Sequence, residues 1–260
     1  VIEAGAAEIL VLSLVALVAG TVDAIAGGGG LLTVPALLWA GLPPHLALAT
    51  NKGQSTFGSL TALVRFSRGG LVDPRRAAVT FPLGAAGSVA GAALVLAVPP
   101  AALRPIVILL LAGAALFVGV RRRPAPPSGE ARPGGSAAGP GALAVAAAVA
   151  LVIGGYDGFF GPGTGTFLIV AFSSLLGDGL ARASASAKVV NFASNLAALV
   201  LFAARGAVVW PIALPMAAAQ LAGGWIGAHL AVRRGDALVR RVVVAVALAL
   251  AAKLAWDLRA

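Results

Sequence analysis

Two lysines stand inside apolar sequence, each with amide and hydroxyl residues at helical spacing. In KVVNFASN (188–195), Lys188, Asn191 and Asn195 fall at i, i+3 and i+7 with Ser194 beside them, so the set shares one helical face. In ALATNKGQSTFGS (47–59), Lys52, Ser55 and Ser59 repeat that face, with Asn51 at its edge and Gln54 adjacent. A cation flanked by amide and hydroxyl donors suits a small oxyanion, which gains charge-assisted hydrogen bonds there. Gln220, the one amide of its apolar run, joins the candidate binding set.

Two glycine-rich breaks supply a second kind of donor. AGGGG (26–30) and GPGTG (161–165) each precede a short apolar run. A helix that starts at such a break turns unpaired backbone N–H groups and a positive dipole end toward an anion, and glycine lets backbone approach a ligand closely. The candidate backbone positions are Gly28, Gly29 and Gly30 in the first break and Gly163, Thr164 and Gly165 in the second. A plain kink is the competing reading. Asp23 and Asp157 precede the breaks, where a carboxylate can carry a coupling proton, cap the following short helix or pair with a lysine. Neither break has the lysine and hydroxyl of a nucleotide-binding loop. His45 and His229 have no second ligand near them in sequence. No metal and no cofactor are therefore expected.

What these residues mean depends on the solvent around them. Of 260 residues 60% are hydrophobic and 11% charged, more apolar than one water-soluble core can bury. The chain reads as a multi-pass membrane protein in contact with lipid. The net charge of +10 sits in short clusters between apolar runs, a pattern of membrane orientation and not of nucleic-acid binding. Cysteine is absent, which excludes disulfides and thiolate chemistry. The first apolar run follows Glu3 and Glu8 instead of a basic segment, as in a retained helix and unlike a cleaved signal. A lysine at a bilayer centre costs about 2.5–3.5 kcal/mol, so Lys52 and Lys188 face a cavity or a partner unless they snorkel to the headgroups from near a helix end.

The elements that must position these residues are helices. Apolar runs cover 6–26, 46–64, 77–98, 102–120, 141–155, 183–204, 208–231 and 239–256, and two shorter ones, 30–42 and 162–176, follow the breaks. A full crossing needs about 20 residues, so the shorter runs predict half-helices or tilted pieces. RRRPAPPSGEARPGGSAAGPG (121–141) has the composition of a flexible linker in water.

The two sides of the linker are copies. Asp23 matches Asp157 at an offset of 134, and an offset of 136 matches Lys52 with Lys188, Gly70 with Gly206, Gly87 with Gly223, Gly91 with Gly227 and Arg104 with Arg240. The expected organisation is a first transmembrane repeat (1–120), a cytoplasmic linker (121–140) and a second repeat (141–260). Duplication with an interrupted hydrophobic segment at the same place in each half points to a secondary transporter whose site lies between the repeats. The fold class expected is all-α, with about 8–10 membrane helices and glycine-broken helices near the midplane. The GxxxG pairs Gly87/Gly91 and Gly223/Gly227 predict close helix packing.

Charge tests the orientation of the copies. If each broken pair crosses twice, the halves are inverted, and loops 65–76, 121–132 and 233–241 with Arg182 place thirteen basic residues in the cytoplasm against four outside. Parallel halves give an 11 to 6 split, so the positive-inside rule favours inversion.

VDAIAGGGGLLTVPALL, ALATNKGQSTFGS, YDGFFGPGTGTF and AKVVNFASNLAALVLF together resemble the signature segments of the TauE/SafE (sulfite exporter) family of membrane transporters, in register across both halves. The resemblance implies a bacterial inner-membrane carrier, usually of seven to nine helices, for sulfite or an organosulfonate such as sulfoacetate. Gly53 departs from the leucine that members commonly carry after the Asn-Lys pair. Two other classes share some of these features. An intramembrane aspartyl protease would use Tyr156-Asp157 and Gly177-Asp178, but one helix-length separates these carboxylates and a shared proton needs contact. A passive anion channel uses the same residue types as a carrier and remains the alternative.

Overall fold

The computed structural model describes residues 5–120 and 139–257, which form nine helices and no strand. The expected linker lies outside the described residues except for its last two positions. The helices are α1 (Ala6–Ala26), α2 (Gly30–Trp39), α3 (Pro44–Arg68), α4 (Pro74–Ala97), α5 (Pro100–Val120), α6 (Pro140–Phe159), α7 (Thr164–Leu176), α8 (Leu180–Ala204) and α9 (Trp210–Asp257). Among them α1, α4, α6 and α8 are long and apolar enough to cross a membrane by length and composition. The protein is an all-helical, multi-pass membrane protein.

Local chemistry sets the helix ends. Proline stands at the first turn of α3, α4 and α6, where its missing N–H costs nothing. Asp73 caps α4 by accepting from the backbone N–H groups of Arg75 (2.9 Å) and Arg76 (3.4 Å). The helices on either side of each break end and restart as the glycines require, with Gly27 at φ 74° and Gly161 at φ 94°, conformations that favour a residue without a Cβ. The short helices α2 and α7 have 10 and 13 residues.

One expectation is corrected. The loop expected over 233–241 is helical backbone, so the two runs 208–231 and 239–256 join in α9, a helix of 48 residues. The segment VRRGDALVRR has one glycine and no proline, and its arginines, alanine and leucine favour helix. A single glycine, at about 1 kcal/mol, is too weak a stop.

Packing exchanges helices between the halves. A Cβ added at Gly87 or Gly91 of α4 would come within 2.0–2.2 Å of the α6 carbonyls of Leu151 and Gly155, and one added at Gly223 or Gly227 of α9 within 2.2–2.3 Å of the α1 carbonyls of Leu17 and Thr21. Backbones that close leave no room for a larger residue, so the GxxxG pairs pack as expected. The lysine helices α3 and α8 run in opposite directions against each other. Ala62 and Phe66 near the end of α3 share a core with Ala183 and Ala187 near the start of α8, whereas Leu48 and Ala49 share another with Ala198, Leu199 and Phe202. The lysines lie between these two cores.

Candidate functional site

Lys52 is 1% exposed and Lys188 is wholly buried. Neither reaches the helix ends to snorkel; both are held inside the protein by residues of the other half. The Lys52 ammonium lies 3.0 Å from Asp157 Oδ1 and donates to Asn195 Oδ1 at 2.9 Å. Lys188 donates to Asp23 Oδ2 at 2.5 Å. The pairs therefore cross: the lysine of each half meets the aspartate of the other.

The crossing follows from the breaks. A Cβ at Gly27 would stand 2.2 Å from the backbone of Gly165 and Thr166, and one at Gly165 would stand 2.6 Å from Gly27 Cα. Thr166 Oγ1 donates to Ala26 O at 3.1 Å across the same junction. The unwound backbone of the first break thus touches the first turn of α7. Gly30 packs on Pro162 in the same way, where a Cβ would be 3.0 Å from its Cα. Unwound backbone is tolerated at membrane depth when it is buried in protein or lines a cavity, and here it does both.

A small polar cavity, partly open on one side, lies at this junction. It is lined by Asp23, Asn51, Lys52, Ser55, Asp157, Asn191 and Asn195, with Gly28, Gly30, Gly161, Thr164 and Gly165 from the breaks. The starts of α2 and α7 both open onto it, so backbone N–H groups, the Lys52 ammonium and side-chain amides converge on one space. Lys52, Asp23 and Asp157 are the charged side chains of the lining, and Lys188, paired with Asp23 from outside it, balances the charge of the group.

Lys188 does not line the cavity but reaches it through Asp23, and the remaining candidates do not line it either. Gln54 donates to Asn51 Oδ1 (2.7 Å) and to Ser55 Oγ (3.1 Å), which holds those two residues from behind. Ser194 donates to Asp157 and accepts no part of the cavity wall. Gly29 donates its backbone N–H to Asp23 Oδ1 at 3.2 Å, so that carboxylate both caps the break and pairs with Lys188. Gly163 packs against Ala114 and Phe167. Gln220 sits where a Cβ on Gly20 or Gly58 would strike it, at the contact of α9 with α1 and α3.

Sequence reasoning missed three participants. Gly161 lies so near Lys52 that a Cβ there would stand 3.0 Å from the ammonium. Thr33 donates to Asn51 Oδ1 at 2.6 Å. Tyr156 donates to Pro162 O at 2.8 Å and ties the second break to α6. The rejected protease reading fares no better in three dimensions, since Asp157 pairs with Lys52 and Asp178 pairs with Arg76.

Comparison with known proteins matches the family model "Sulfite exporter TauE/SafE" over residues 12–254. The chain is 38% identical over 242 residues to the probable membrane transporter protein ORF9 of a Sinorhizobium species, covering 93% of this chain and 90% of the relative. It is 39% identical over 247 residues to the probable membrane transporter protein YfcA of Escherichia coli K12, covering 95% and 89%. A probable membrane transporter protein of Haemophilus influenzae is 36% identical over 247 residues, covering 95% and 94%. No solved structure matches. Breaks that meet at a cavity, lysines buried beside them and a family match over nearly the whole chain lead to one conclusion: the protein belongs to the TauE/SafE family of membrane transporters.

Proposed function

We propose that this transporter is a proton-coupled secondary carrier for a small, sulfur-containing oxyanion, sulfite or an organosulfonate such as sulfoacetate, in the bacterial inner membrane. The observation that carries the reading is the crossed pairing of Lys52 with Asp157 and Lys188 with Asp23 around one cavity. Two ammonium–carboxylate pairs without net charge give an anion little net attraction. A proton on either aspartate releases its lysine, and the anion then takes the place of the carboxylate. Asp23, with 24% of its side chain exposed against 4% for Asp157, is the carboxylate a proton reaches first. Asn51, Ser55, Asn191 and Asn195 add hydrogen bonds, and the starts of α2 and α7 add backbone donors.

The same reading treats residues 1–120 and 141–260 as inverted repeats joined by the linker 121–140. The opposed directions of α3 and α8, which carry equivalent lysines, support it. Sites formed by broken helices at a repeat interface suit alternating access, in which one half rocks against the other around a fixed site.

Flux in proteoliposomes tests the proposal. Saturable sulfite or sulfoacetate uptake that follows an imposed pH gradient is the expected result. Flux that does not saturate and ignores the pH gradient describes a passive anion channel instead.

A further inference from the structure

Away from the cavity, Arg76 at the start of α4 and Asp178 in the turn before α8 form a buried ion pair. Arg76 Nη1 donates to Asp178 Oδ2 and, at 3.4 Å, to Ser186 Oγ, while Nη2 donates to Asp178 Oδ1 at 3.4 Å. The guanidinium also lies 6.0 Å from the centre of the Phe172 ring. The residues are 5% and 8% exposed and come from different halves of the chain.

The repeat offset of 136 assigns each partner a counterpart: Ile212 for Arg76 and Leu42 for Asp178. Backbone geometry supports the match. Gly41 and Gly177, just before Leu42 and Asp178, have φ of 80° and 70°. Ala77 N donates to Asp73 O at 2.9 Å as Ala213 N does to Val209 O, bonds related by the same offset. Yet Leu42 and Ile212 are buried in one apolar cluster with Leu12, Leu37, Ala47 and Met216. Phe172 and Leu180, beside the ion pair, share a core with the end of α3, whereas Ala47, beside Leu42, belongs to its start. The cavity-lining residues of α3, Asn51, Lys52 and Ser55, lie between.

We propose that Arg76 and Asp178 are a polar gate on one side of the cavity, opposed by an apolar gate built from the equivalent positions Leu42 and Ile212. The proposal goes beyond the carrier reading and rests on it, since a rocking motion of the halves must part both contacts. The two gates then differ in kind. Parting the ion pair requires water to solvate two charges that are otherwise buried, whereas the apolar side closes by contact alone. Weakening the pair biases the carrier toward opening on the Arg76 side, which the charge split assigns to the cytoplasm.

A cysteine reporter tests this without any anion, so its failure is separable from a wrong substrate. The chain has no cysteine, and Ser55→Cys places one on the cavity wall. Its labelling by an impermeant maleimide is timed in right-side-out and inverted membrane vesicles. Asp178→Asn in this background is expected to speed labelling from the cytoplasmic side about tenfold without speeding it from outside. The apolar pair Arg76→Met with Asp178→Leu is expected to slow cytoplasmic labelling below the parent rate. Parent rates on both sides in Asp178→Asn, or equal acceleration on both sides with loss of thermal stability, would overturn the gate and leave the pair a brace of the fold. If Asp178→Asn does not fold, the apolar pair decides alone. Selective slowing from the cytoplasm upholds the proposal, and parent rates on both sides reject it.

Discussion

Lys52 Nζ lies 3.0 Å from Asp157 Oδ1, although the lysine belongs to α3 in the first half and the aspartate to α6 in the second. Removing one partner of a buried pair strands the other charge, which typically costs about 3–5 kcal/mol. Lys52→Ala should therefore lower thermal stability markedly, and Lys52→Met with Asp157→Leu should recover most of it. Neither variant should transport. Thermal melts in detergent with proteoliposome flux check both halves of the expectation, and a Lys52→Ala melting curve equal to wild type would contradict the pairing.

The junction of the two breaks predicts a steric effect. Gly27 has φ 74°, and a Cβ there would stand 2.2 Å from backbone atoms of Gly165 and Thr166, which cannot yield as a flexible side chain can. Gly27→Ala should reduce stability by several kcal/mol and abolish transport. Gly41→Ala, also at positive φ but with open space around it, serves as the control for backbone strain alone. Melting temperatures should rank wild type, Gly41→Ala and Gly27→Ala in descending order.

Proton coupling makes a separate demand on the carboxylates. Asp23→Asn removes the more exposed of the two and keeps an oxygen able to accept from Gly29 N–H. Its flux should lose dependence on an imposed pH gradient while some anion binding survives. Retention of wild-type pH dependence by both Asp23→Asn and Asp157→Asn would leave these residues as structural partners of the lysines only.

Inverted halves require equivalent positions to face opposite sides. Ser67, at the end of α3, and Ala204, at the end of α8, are both exposed and lie at nearly equivalent repeat positions. Cysteines placed there should be labelled from the cytoplasm and from outside respectively. Labelling of both from the same side would show parallel halves.

Much of this was legible because duplication repeats chemistry. The lysines, aspartates and glycine breaks stand out in sequence as pairs, and all of these candidates but Gly163 line the cavity or bond to a residue that does. What pairs with what was not legible. Asp23 and Lys52 share a half, and only the crossing of the breaks gives each lysine to the other half's aspartate. Repeat logic also hid Arg76 and Asp178, whose counterparts Ile212 and Leu42 carry no charge. The continuity of α9 escaped notice because clustered arginines mark a membrane boundary without stopping a helix.

The central claim is that an anion binds between Lys52 and Lys188. Calorimetric titration of the purified protein with sulfite and sulfoacetate tests it most directly, using wild type, the charge-free pairs Lys52→Met with Asp157→Leu and Lys188→Met with Asp23→Leu, and all four changes together. Each pair variant removes one positive and one negative charge together, so a loss of binding reports the missing ammonium and not a stranded carboxylate. Losing one charge-assisted hydrogen bond, about 1.5–3 kcal/mol, predicts roughly tenfold to a hundredfold weaker binding in each pair variant. The combined variant should depart from the sum of the two, because both lysines touch one ligand. Folded pair variants that bind either anion as tightly as wild type would contradict the claim and move the anion elsewhere in the protein.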